Sequence, residues 1–179
     1  TSGISNFVAE MLTRGTARRS REQLATDIEA LAGDLGGFAG RSSFGVAGTF
    51  LSDHLAEGLD LATEVLVQPS FPTDEVEKTR REILLAIKNR ADESARVAFD
   101  LAWKTVYPTH PYGMTSLGEA ASISHLSAGD LSAYYASVLD PGSLVVTVVG
   151  DVDTDAVVQR LSNALSGIRG DGKPFVQQH

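Results

Sequence analysis

The sequence predicts an α+β domain in which a mixed or antiparallel sheet is covered on one face by helices. Three observations carry that expectation. Apolar residues recur at spacings of three and four in several capped segments, which is the helical period. From Phe38 to Leu51 the period falls to two: Phe44, Val46, Gly48 and Phe50 alternate with Gly45, Ala47, Thr49 and Leu51. Ser143-Leu-Val-Val-Thr-Val-Val149 is a β-branched run bounded by Gly142 and Gly150, the pattern of a fully buried strand.

Taken in order, Ile4, Phe7, Val8, Met11 and Leu12 make one apolar face of a first helix that ends at Gly15. So apolar a face needs a surface to pack on, and nothing precedes it. With no initiator Met and no signal-peptide core, the chain reads as a piece of something longer. Ser20-Arg-Glu-Gln23 is a capping box opening a helix with Leu24, Ile28 and Leu31 on one face, closed near Gly33 with Gly36 and Gly37 beyond. Two strands are then expected within 38–51, meeting near Arg41–Ser43. Ser52 or Asp53 caps a helix carrying Leu55, Leu59, Ala62 and Leu66, closed by Pro69 and Pro72. Thr73-Asp-Glu opens a longer helix, its acidic first turn suited to the positive end of the dipole, with Val76, Ile83, Leu84 and Ile87 buried. A further helical run covers 95–106, a loop holds Pro108-Thr-His-Pro-Tyr-Gly113, and Ser127-Ala-Gly-Asp130 caps a helix through Tyr135. A last helix spans 156–165 after Asp151-Val-Asp153.

The 179 residues suit one domain, 1–168, with 169–179 as tail or linker. Fifteen basic against 23 acidic residues give a net charge of −8, which argues against nucleic-acid binding. The absence of cysteine excludes disulfides, thiolate zinc sites and Cys nucleophiles. No apolar run approaches the ~20 residues that cross a bilayer.

The residues alone offer no catalytic centre. His54-Leu-Ala-Glu57 has a ligand-like spacing, but Gly58 stands where a second imidazole would be needed, so it reads as a solvent-facing helix start. His110, in its loop, reads as a structural residue that donates a bond to backbone; His125 and His179 carry no pattern. There is no G-x-S-x-G elbow, Walker loop or dinucleotide fingerprint.

Gly3-Ile-Ser-Asn6-Phe-Val-Ala9-Glu10-Met-Leu-Thr-Arg-Gly15-Thr16 resembles the inverted zinc-motif (inverzincin) segment of the insulinase/pitrilysin metallopeptidase family, G-x-x-H-x-x-E-H-x-x-x-x-G-T. The helix after Ser20, the Gly36-Gly37 turn into strands, Pro69-Ser-Phe71-Pro72, His110-Pro-Tyr-Gly113, Tyr134-Tyr135 and Val148-Val-Gly-Asp-Val-Asp153 are similar to the same family, in order along essentially the whole chain. The resemblance implies a LuxS/mitochondrial-processing-peptidase-like half whose N-terminal strands are missing. It also marks departures. Active members place zinc-binding His at the positions of Asn6 and Glu10, a catalytic Glu at Ala9, and a third ligand, Glu, at Ala86; a slip of one residue gives Leu85 or Ile87, neither a ligand. No catalytic, metal or cofactor-binding residue is therefore expected in this chain.

In that family two or four homologous units form a clamshell around a closed chamber, one unit carries zinc, and its partners help hold the peptide as an added strand. The resemblance thus implies a zinc-free, non-catalytic unit that closes the chamber, with zinc in an active homologous partner in cis or in trans, a peptide substrate, a dimer of like units, and a periplasmic or exported address. Two alternatives are a half of a parent chain that is itself an active zinc metalloendopeptidase, and a structural core subunit with no peptidase role. A small-molecule binder is the reading left if the fold lacks a helix-covered sheet.

Overall fold

The structure is a computed structural model that describes residues 2–170; of the expected tail at 169–179, everything beyond Gly170 lies outside the described residues, as does His179. Helix α1 (Ile4–Met11) follows Gly3, whose φ of 85° puts it in the left-handed region, where glycine is the easy choice. A Cβ there would lie 2.6 Å from the Leu117 carbonyl oxygen. Phe7, Val8, Met11 and Leu12 are fully buried, but the surface that covers them comes entirely from later in the chain: Phe71, Val76, Ile83, Ile123, Leu126, Leu131 and Tyr135.

Helix α2 (Arg21–Ala30) starts at the expected capping box: Gln23 N donates to Ser20 Oγ at 3.3 Å, and Ser20 N donates to Gln23 Oε1 at 2.9 Å. Strands β1 (Asp34–Ala39) and β2 (Phe44–Thr49) pair antiparallel from Asp34↔Thr49 to Ala39↔Phe44. The first strand thus begins four residues earlier than expected and contains Gly36 and Gly37, which the sequence reading placed in a turn. The smallness of Gly37 serves close packing against α1 rather than a bend. The hairpin closes where expected, Gly40 N donating to Ser43 O at 2.8 Å.

A 3-10 turn (Ser52–His54) leads into α3 (Leu55–Val67). Neither Ser52 nor Asp53 supplies the expected cap; the tighter turn makes the entry instead, with His54 N donating to Leu51 O at 2.9 Å. Helix α4 (Thr73–Arg90) runs from Pro72 with Asp74 and Glu75 in its first turn and buries Val76, Thr79 and Ile83. Helix α5 (Ser94–Val106) buries none of its residues. After a 3-10 turn (Pro111–Gly113) come α6 (Ala120–His125), α7 (Ala128–Val138), opened by a Ser127–Asp130 capping box, and α8 (Thr154–Leu165), capped by Asp153.

One strand expectation is overturned. Residues 144–149 form no strand, and Val145 and Val149 are 85% and 91% exposed. Burial of a β-branched run is conferred by a neighbouring strand, and no described strand lies beside this one. The described sheet is accordingly antiparallel and two-stranded, within an α+β fold. The main core joins α1, α4, α6 and α7; a smaller one gathers Leu24, Leu35, Leu61 and Val65 from α2, β1 and α3.

Candidate functional site

The positions of interest lie on α1 and α4, two helices packed through one core. Asn6, Ala9 and Glu10 sit within two turns of α1, and Ala86 lies half-buried near the end of α4. The fold therefore brings the two segments into one helix pair. Asn6 Nδ2 is buried with no hydrogen-bond partner. Ala9 is 2% exposed, and its carbonyl lies under Gly37 of β1. Glu10 points to solvent.

An ion pair missed in the sequence ties the segment after α1 to α4. Arg14 Nη2 donates to Glu82 Oε2 at 2.7 Å, one turn before Ala86. The second terminal nitrogen of Arg14 is buried without an acceptor. Only the flanking charges of opposite sign signalled this pair, and their separation of 68 residues hid it.

Beside α1 lies an open strand edge. Among the described residues β1 pairs with β2 alone. A Cβ built on Gly36 meets nothing within 4 Å, so the sheet face there is open, and Phe38 is 45% exposed. At the hairpin tip a cleft of ≈ 400 Å³ lies between Ser5, the 40–44 turn and Tyr134, with Ser5 Oγ and Tyr134 OH hydrogen-bonded at 2.7 Å.

The histidines stay apart from this region's chemistry. His54 ends the 3-10 turn before α3, half-buried, and His125 is exposed at the end of α6. His110 acts on backbone, its Nδ1 accepting the proton of Tyr112 N at 3.1 Å. Pro111 has no N–H, so Tyr112 offers the first free amide after His110. Sequence reasoning also missed Glu64, a buried carboxylate that accepts from Thr16 Oγ1 at 2.6 Å and from Arg19. Among the described residues no group of three or more His, Asp or Glu side chains is placed to hold a metal ion.

A model of the insulinase family, peptidase family M16, matches residues 1–120. The chain belongs to that family. It is 26% identical over 158 residues to the mitochondrial-processing peptidase subunit beta of Caenorhabditis elegans, covering 88% of this chain and 34% of that protein. It is 23% identical over 167 residues to an uncharacterised zinc protease of Rickettsia felis, covering 93% of this chain and 40% of that one. This insulinase-family chain therefore spans between about a third and two fifths of the length of those relatives. In fold it is similar to the crystal structure of a peptidase M16 inactive domain from Pseudomonas fluorescens, with a TM-score of 0.88 and 24% identity over 99% of this chain and 43% of that one.

Zinc is thus a metal of the family, as the name of one relative states. The residues here do not fit it. A catalytic zinc needs about three N, O or S donors and an open position for water. The positions that the resemblance marks, Asn6, Ala9, Glu10 and Ala86, carry a neutral amide, two methyl groups and one solvated carboxylate.

Proposed function

We propose that this chain is a zinc-free, non-catalytic unit of an insulinase-type metallopeptidase assembly, which closes the chamber against an active homologous unit and holds substrate peptide along the open edge of β1. The observation that carries the reading is the side-chain set at the degenerate motif: Asn6, Ala9 and Glu10 on α1, with Ala86 on α4. Ala9 can take no proton from water, and neither Asn6 nor Glu10 brings the imidazole that grips zinc in such motifs. The metal and the general base then belong to the partner, in the same polypeptide or in another subunit.

The open edge of β1 supports the peptide-holding half of the reading. Its unpaired N–H and C=O groups can add an extended chain through main-chain hydrogen bonds, which makes recognition tolerant of sequence. Gly36 leaves room for the bound chain's side chains. The chain's coverage of about a third of its relatives' length also favours a second reading, in which it is one half of a parent that carries an intact motif elsewhere.

Peptide binding without cleavage is the test. The purified chain should raise the anisotropy of a fluorescein-labelled, unstructured Val/Ser peptide and leave it intact after prolonged incubation with zinc. Cleavage by this chain alone, abolished by a chelator, contradicts the proposal.

A further inference from the structure

On the β1 side, the tip of the β1–β2 hairpin is held by Arg41. Arg41 places its guanidinium carbon 4.2 Å from the centroid of the Trp103 ring on α5 and donates Nη1 to the carbonyl of Tyr112 in the Pro111–Gly113 turn. Behind Trp103 the aromatic contacts continue: Tyr107 stacks on it at 5.4 Å and 18°, and His110 meets Tyr112 edge-on at 4.6 Å. This layer needs such ties, because α5 buries no residue of its own. A further polar tie is the ion pair of Arg90 with Asp100, two hydrogen bonds of 2.7 Å.

The rest of β1 is anchored differently. Its centre lies on α1 through Gly37, and its start meets the smaller core through Leu35. Its last residues, Phe38 and Ala39, pair with Gly45 and Phe44 and then enter the turn that carries Arg41. Phe44 sits 6.2 Å from the Tyr134 and Tyr135 rings and so fixes β2, whereas on the β1 side the tip depends on Arg41.

We infer that Arg41 is a positioning residue for peptide binding: by clamping the hairpin tip to Trp103 and Tyr112 it holds the open edge of β1 in the extended geometry an added strand requires. This rests on the proposed peptide-holding role of that edge. Arginine suits the task because one planar group can lie on the indole face and still donate to a carbonyl. The clamp touches no bound peptide; it lowers the ordering cost that binding would otherwise carry.

Arg41→Met, Trp103→Leu and the double variant separate this role from a general contribution to stability. All three should weaken binding of the labelled Val/Ser peptide by about tenfold, the double no more than either single, while the melting temperature shifts little. In the peptide-free chain, amide exchange at Gly40, whose N–H donates to Ser43 O across the hairpin tip, should quicken by about tenfold in Arg41→Met. Wild-type affinity in Arg41→Met, or independent losses that multiply in the double variant, overturns the inference. If the wild-type chain binds no peptide, the peptide-holding role fails instead. The exchange measurement then decides the clamp alone, and unchanged exchange overturns it.

Discussion

Gly37 of β1 lies directly on the backbone of Ala9 in α1: a Cβ at residue 37 would come within 1.8 Å of the Ala9 carbonyl oxygen and 2.5 Å of its carbon. The obstacle is main chain in a helix whose neighbouring side chains are fully buried, so it cannot step aside. Gly37→Ala must lift β1 from α1. A loss of about 1–3 kcal/mol is expected in urea unfolding, with the loss of peptide binding exceeding that of Gly36→Ala, where the space is open.

Glu64 joins three segments. Its carboxylate accepts from the Thr16 hydroxyl at 2.6 Å and from Arg19, which also donates Nε to Asp27 at 2.6 Å. Thr16 closes the motif segment, and its hydroxyl accepts in turn from the amides of Arg18 and Arg19. Glu64→Ala leaves a buried hydroxyl and a guanidinium short of an acceptor, and a loss of about 2–3 kcal/mol follows. Thermal unfolding of Glu64→Ala beside Asp27→Ala checks this, the second variant losing less because its carboxylate is half exposed.

Acid should loosen α5 before the core. The two hydrogen bonds from Arg90 hold the Asp100 carboxyl below its ordinary range, against a smaller opposing effect of burial. A depressed folded pKa means stabilisation that is complete above the unfolded value of about 4 and is lost as pH falls through the lower folded value. Both side chains are about a quarter exposed, so the pair contributes about 1 kcal/mol. Asp100→Asn should melt lower than wild type at pH 7, and the two should converge as the pH drops below that window.

Much of the fold was legible because local rules agreed with tertiary demands. The boxes at Ser20 and Ser127 cap α2 and α7 as their spacing requires, and the apolar stripes of α1 and α4 meet in one core. The candidate site was legible only through the order of its motif residues. The ties that complete it, Arg14–Glu82 and Arg41–Trp103, join residues far apart in sequence, and nothing local specifies such a pair. Gly36 and Gly37 lie within β1 and not in the expected turn, and at Gly37 glycine serves close backbone approach to α1.

The run at 144–149 failed for the opposite reason, since its composition is that of a central strand but it has no neighbour among the described residues. Val145→Lys and Val149→Lys in this chain should therefore change stability by no more than about 0.5 kcal/mol in urea unfolding. A buried strand would instead lose several kcal/mol to an unpaired charge.

The most direct measurement is the metal content of the purified chain after incubation with excess zinc and gel filtration, read by plasma mass spectrometry. With an amide at residue 6, methyl groups at 9 and 86, and a lone solvated carboxylate at 10, far less than one zinc per chain should remain. One tightly held zinc per chain, lost on converting Asn6 and Glu10 to alanine, would contradict the account.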